Sequence, residues 1–259
     1  MKSLTAVRLA AAAGLLGLWA CSESTSPTTA SLVNQTTLTS DVASSSGDAI
    51  ATDVQVVSTN EVFVGLTAPV ELAPATDSVS YTRTRTCFDS TGTSVTCGTA
   101  AVRKAALFVS FSWARHDTAA DGAVFLGNVK RVAYDTLFRN YTSGVETSRT
   151  HDGNSAGTDT TSFTGPNVTR TYQEAGTDSV EAVTFNLPRL NNPFPISGKI
   201  VRNVSIHATF TSATRSDTTD VTKRIEVDFP PDSQGNVVLK IDTKTCNLNL
   251  VTHHVSNCQ

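Results

Sequence analysis

The residues able to do chemistry in this 259-residue chain are few, and the histidines come first: His116, His151, His207, His253 and His254. Two of them precede an aspartate, as His116-Asp117 and His151-Asp152, the elementary pairing of a general base with a carboxylate that orients it. Successive residues on a strand point to opposite faces, so adjacency makes such a pair only where the backbone turns. The string His151-Asp152-Gly153-Asn154-Ser155-Ala156-Gly157-Thr158-Asp159 has the composition of such a turn. Asp152, Asn154 and Asp159 would be its oxygen ligands for a hard cation, but the spacing and closing Glu of a calcium loop are missing, and a bare hairpin turn is the expectation. His253-His254, with a distant His207, is the remaining candidate set for a transition metal, and neighbouring side chains on a strand do not share an ion. No nucleophile elbow and no glycine-rich phosphate loop is expected, and neither is a metal or other cofactor.

Five cysteines remain to be placed. Cys87, Cys97, Cys246 and Cys258 form an even set in the body of the chain, which reads as disulfides with three possible connectivities. Pairing Cys87 with Cys97 and Cys246 with Cys258 is favoured, because each pair brackets a short turn-like segment; Asp89-Ser90-Thr91-Gly92 lies inside the first. A four-cysteine zinc site is the competing reading and lacks any C-x-x-C pair.

The fifth, Cys21, ends an N-terminal leader. Lys2 and Arg8 precede the apolar stretch Leu9 to Leu18, and small Ala20 stands just before the cysteine. A run of roughly 10 to 12 apolar residues is too short to span a hydrocarbon core that needs about 20, so residues 1–20 read as an export signal. Leu18, Ala20 and Cys21 resemble the lipobox of bacterial lipoproteins, with Trp19 departing from the usual small residue. The resemblance implies cleavage before Cys21, fatty acylation of its sulfur, and attachment to the cell envelope through the lipid alone. Acyl chains contribute about 0.8 kcal/mol per buried CH₂, so two or three of them hold a water-soluble body at a bilayer. Ser22 in place of Asp implies, for a host with two membranes, the outer one.

Charge narrows the partners. The formal net charge is −3; removing Lys2 and Arg8 with the signal leaves 18 basic against 23 acidic residues, or −5. Without a basic block the chain is a poor candidate for nucleic acid, whose binding is driven by Lys and Arg displacing counterions.

The elements that must position these residues are strands. In Ile196 to Phe210 the even positions carry Ile196, Ile200, Val204, Ile206 and Phe210 while the odd ones are mostly polar, a period of two. The alternation recurs at Leu107 to Trp113, Val183 to Leu187, Val221 to Phe229 and Val237 to Ile241. It belongs to antiparallel sheets with one wet face. The expected fold class is all-β, with antiparallel hairpins forming a sandwich or a strongly curved sheet behind a disordered N-terminal tether. A transmembrane barrel shares the pattern, but its aromatic girdles are missing from a chain with 7% aromatic residues.

The expected organisation is a signal over 1–20, a flexible Ser/Thr-rich tether over 21–60, and a single β-rich domain over 61–259. Within the tether, Val42, Ala43, Ile50, Val54 and Val57 would give a short helix capped at Thr39 or Ser40 and interrupted at Ser44 to Gly47. Arg83, Arg85 and Arg202 are expected on the wet face. The functional expectation is a non-enzymatic binding or structural module of the envelope, anchored at Cys21, with a protein or glycan partner. The alternative is a hydrolase or metal-dependent enzyme whose site is assembled from separated strands.

Overall fold

A computed structural model describes residues 31–66, 78–118 and 124–259. The segment from Ser31 to Gln259 forms one compact unit. It holds one helix, α1 (Gln35–Phe63), and eleven strands: β1 (Ser78–Phe88), β2 (Ser94–Val95), β3 (Lys104–Thr118), β4 (Val124–Thr142), β5 (Val145–Thr164), β6 (Thr169–Asn186), β7 (Ser197–Thr211), β8 (Ser216–Asp228), β9 (Asn236–Ile241), β10 (Lys244–Asn249) and β11 (Val255–Ser256). All eleven lie in a single antiparallel sheet in the order β11-β10-β9-β8-β7-β6-β5-β4-β3-β1-β2. Antiparallel hairpins are what the chain adopts, and of the two expected forms, a sandwich or a strongly curved sheet, it is the single sheet. The disulfides Cys87–Cys97 and Cys246–Cys258 are the two expected pairs.

Curvature follows from what α1 touches. Eleven strands at roughly 4.8 Å spacing would make a flat sheet roughly 48 Å across, several times the 10–12 Å diameter of a helix. Yet Val64, just past α1, packs with Cys87 of β1, and Val56 of α1 with Val109 and Phe111 of β3. Asp48 meets His253, beyond β10, on another side of the same helix. The sheet is therefore a trough wrapped around α1. The helix runs along the trough: Arg131 of β4 reaches Asp53, Asp135 four residues on reaches Asn60, and Leu137 packs with Val64.

The alternation in the sequence is now explained. Buried Ile200, Val204, Ile206 and Phe210 of β7, Ile225 and Val227 of β8 and Leu239 of β9 face α1, where Leu38, Val42, Ile50, Val54 and Val57 meet them in the main apolar core. The outward positions of β5 to β8 are mostly Thr, Ser, Asn and Gln. Apolar side chains thus cover the helix, and a lipid-facing exterior is not needed to account for them.

The segment expected as a tether to residue 60 is corrected from Gln35 onward. It is an unbroken helix of 29 residues capped by Asn34, whose Oδ1 accepts hydrogen bonds from Thr36 N (2.9 Å) and Thr37 N (3.1 Å), ahead of the expected cap at Thr39 or Ser40. Ser44-Ser45-Ser46-Gly47 does not interrupt it, because small residues are what the sheet's closeness demands there. A Cβ on Gly47 would stand 2.5 Å from Val255 Cγ2. Burial on nearly every side stabilises a sequence whose helix propensity is poor. The signal, Cys21 and the first part of the expected tether lie outside the described residues. No helix among the described residues is long and apolar enough to cross a membrane.

Candidate functional site

Strand alternation decides which of the candidate residues can meet. The segment from His151 to Asp159 is the middle of β5, not a turn, and its odd and even members face opposite sides of the sheet. Asp152 and Asn154 are exposed, with Asp152 Oδ1 accepting from Ala182 N at 2.7 Å, whereas Asp159 is buried against α1. A cation loop over Asp152, Asn154 and Asp159 is thereby excluded. Gly153-Asn154-Ser155-Ala156-Gly157 has the G-x-S-x-G spacing of a nucleophile elbow, a match masked by its turn-like composition. It is extended strand rather than a strand-to-helix turn, and Ser155 is buried, donating to Asp178 Oδ2 at 2.9 Å.

The small residues have another purpose. Gly176 sits where Arg202 crosses the inner face, and a Cβ there would stand 2.9 Å from Arg202 Cζ; a Cβ on Gly157 would collide with the Lys130 carbonyl oxygen of the neighbouring strand and also come within 3.2 Å of Arg131 Cγ. Arg131 and Arg202 are almost wholly buried, which corrects the expectation of Arg202 on the wet face. Its position was legible, since 202 is in phase with Ile200 and Val204.

Around these guanidiniums gathers the first of two interior charge clusters. Arg131 Nη1 is 3.1 Å from Asp53 Oδ1 of α1 and 3.0 Å from Asp178 Oδ2 of β6. Arg202 Nη2 is 2.5 Å from Asp159 Oδ2 and 3.4 Å from Glu174 Oε2, while its Nη1 is 3.2 Å from Asp178 Oδ1. Ser45 of α1 donates to Glu174 Oε1 at 2.6 Å. Burial drives the Asp53 carboxyl up to about 7, against the pull of Arg131. Burial likewise raises Glu174, outweighing Arg202 and the Ser45 hydroxyl. For Arg131 burial favours the neutral form, but the charges of Asp53, Asp178 and Asp159 overcome it and hold the guanidinium charged.

The second cluster closes the C-terminal end of α1. His151 Nδ1 is 2.9 Å from Asp135 Oδ2, and its Nε2 is 3.5 Å from Glu61 Oε1. Glu61 Oε2 accepts from Arg149 Nη1 at 2.6 Å and lies 3.5 Å from Arg189 Nε. Asn60 donates to Asp135 Oδ2 at 3.0 Å, and Arg189 donates to Ser58 Oγ at 3.0 Å while stacking 3.7 Å above Phe185. Glu146 joins Arg139 and Arg149 at the rim. Burial alone would lower His151, but the charge and hydrogen bond of Asp135, with Glu61 beyond, carry it to about 9. Glu61 is pushed up by burial yet ends below the usual carboxylate range, chiefly through the adjacent His151, with Arg189 and Arg149 adding to it. Burial, seconded by Arg149, brings Arg189 down to about 10, still charged at neutral pH.

The other histidines stand apart. His253 Nδ1 is 2.7 Å from Asp48 Oδ1 of α1, whereas His254 is exposed, so the adjacent pair divides between interior and solvent. His116 is exposed on β3 opposite Leu126. His207 lies across β7 and β8 from Asp220, 2.8 Å away, on the outer face. That pair belongs to a depression of about 600 Å³ over β5 to β8, lined by Thr158, Thr160, Gln173, His207, Asp220 and Thr222 among others. It is shallow, with hydroxyl, amide, imidazole and carboxyl groups beside apolar surface. No group of three or more His, Cys, Asp or Glu side chains able to hold a metal ion occurs among the described residues.

The arrangement can therefore store charge inside and offer hydrogen bonds outside. His151 between two carboxylates has the components of a general base, but it has no accessible surface and cannot meet a substrate. No protein-family model, curated protein or solved structure matches the chain.

Proposed function

We propose that the chain is a lipid-anchored lipoprotein of the bacterial cell envelope, acylated at Cys21, whose β-rich body is a non-enzymatic binding or structural module. The observation that carries the reading is the fate of the cysteines. With Cys87 joined to Cys97 and Cys246 to Cys258, Cys21 is left over at the end of an export-type leader. Two disulfides suit an oxidising compartment, and a body whose exterior is mostly Thr, Ser and Asn needs a lipid to stay at a membrane. Burial of His151 in a closed interior favours a module over an enzyme. The shallow depression around His207 and Asp220 presents hydroxyl, amide and imidazole groups beside apolar surface, which suits a protein or glycan partner. The outer membrane is the proposed location, from Ser22 after the acylated residue.

Acyl labelling of cells expressing the wild-type chain and Cys21→Ala tests the anchor. Label is expected on the first and not on the second, and an unlabelled wild type overturns the reading. Protease added to intact cells then distinguishes surface display from a periplasmic orientation.

A further inference from the structure

We propose that the charge cluster between α1 and strands β4 to β7 holds protons in place of counter-cations, and that their release as the medium turns alkaline unlatches α1 from the sheet. This stands apart from the anchoring reading and from the identity of any partner.

The composition of the cluster requires some neutralising species. Four carboxylates, Asp53, Glu174, Asp159 and Asp178, face only two guanidiniums, Arg131 and Arg202, and all six residues are nearly or fully buried. An interior carrying two uncompensated negative charges is strongly disfavoured, and buried carboxyls in that position take up protons. Every element packed against Asp53 contributes: β4 presents Arg131, β5 Asp159, β6 Glu174 and Asp178, and β7 Arg202. On α1 itself Asp48 is engaged with His253 and Glu61 belongs to the other cluster. Asp53 Oδ2 is buried and accepts no hydrogen bond, so a carboxyl oxygen remains free to carry a proton. A metal ion is the poorer neutraliser, because the guanidiniums already occupy the centre of the cluster.

The mechanical consequence follows from where the carboxyls sit. Asp53 is the group that α1 itself contributes to the cluster, and Ser45 adds the bond to Glu174 one stretch earlier on the helix. Burial raises both carboxyls, Asp53 to about 7. A group whose folded value is raised stabilises the fold fully below its unfolded value and loses that contribution as pH rises through the folded one. Acid therefore holds α1 in the trough, and deprotonation of Asp53 loosens it.

The test uses the mature chain labelled with ¹³C at aspartate, with amide hydrogen exchange of α1 corrected for the intrinsic rate. The Asp53 carboxyl resonance is expected to titrate within about one unit of neutrality, and opening of α1 is expected to increase by up to tenfold per pH unit, the limit for one proton, as pH rises from about 4 to that value, and to level off above it. In Asp53→Asn, an isosteric change that keeps the side chain neutral, that increase is expected to flatten between about pH 4 and 7. Should Asp53→Asn fail to fold, the wild-type resonance still decides. An Asp53 carboxyl titrating in the ordinary range near 4, an unchanged pH profile in Asp53→Asn, or protection of α1 at alkaline pH by calcium or sodium chloride would each overturn the proposal.

Discussion

The two interior charge clusters are built from the same parts and balanced differently. Between α1 and β4 to β7, four carboxylates surround two guanidiniums. At the C-terminal end of α1, Glu61, Asp135 and Glu146 meet Arg139, Arg149 and Arg189, three against three, and His151 is the odd member. The first must take protons on carboxyls to approach neutrality, and the second takes one on an imidazole between two acids. Both lose protons as pH rises, but the form that is lost differs: a neutral acid in one case, a cation in the other. A buried polar cluster is thus described better by its charge sum than by a tally of its ion pairs, since buried pairs do not by themselves stabilise.

The largest expected effect comes from breaking each balance from its own side. Arg131→Met leaves Asp53, Asp159 and Asp178 facing Arg202 alone and is expected to cost about 3–5 kcal/mol in urea denaturation, with much of the loss recovered in acid as the orphaned carboxyls protonate. Glu61→Gln leaves Arg149, Arg189 and His151 short of an anion and is expected to cost a similar amount, recovered instead toward alkaline pH as His151 gives up its proton. Opposite rescue directions would establish the difference between the clusters. Rescue in the same direction for both variants would remove it.

His151 sharpens the second half of the comparison. Its folded value lies at about 9 against 6.5 for the free imidazole, so its contribution is complete below 6.5 and lost as pH rises through about 9. A shift of that size corresponds to on the order of 3 kcal/mol. His151→Gln keeps a hydrogen-bonding side chain without the titration, and is expected to abolish the wild-type decline in stability between those two values while leaving any decline below neutrality that belongs to Asp53. A variant that declines over the upper window as steeply as wild type would show that His151 is not the group responsible.

How much of this was legible depends on which kind of residue filled an inward position. β7 could be read because Ile200, Val204, Ile206 and Phe210 mark every inward step but one or two, and β3 and β9 for the same reason. β6 could be read only at its end, through Val183 and Phe185. Its earlier inward positions are Tyr172, Glu174, Gly176 and Asp178, which spell a wet or turning segment unless the arginines they serve are known. The middle of β5, from His151 to Asp159, has the composition of a turn on the same account, with Ser155, Gly157 and Asp159 inward. α1 was obscured because Asp41, Asp48, Asp53 and Glu61 break its apolar stripe: Asp41, Asp53 and Glu61 answer Arg170, Arg131 and Arg149 of the sheet, and Asp48 meets His253 beyond β10. Periodicity reports burial only where burial is apolar. Phase was the available signal, since Arg131 stands in step with Val129 and Ala133, as Arg202 does with Ile200 and Val204.

The smallest perturbation isolates geometry from charge. Gly176 and Arg202 lie on neighbouring strands, with the guanidinium over the place where a side chain would begin: an added Cβ would be 2.9 Å from Arg202 Cζ and Nη1 and 3.1 Å from Nη2. Contacts that short force the group to move, and Arg202 has no free direction, with Asp178 3.2 Å from one nitrogen and Asp159 2.5 Å from the other. Gly176→Ala changes no charge and is expected to cost about 1–3 kcal/mol by crowding. Because a displaced guanidinium compensates Asp159 and Asp178 less well, part of that loss should disappear in acid, as for Arg131→Met and on a smaller scale. A loss independent of pH would mean that the alanine is absorbed by strand movement, leaving the arginine and its carboxylates in register.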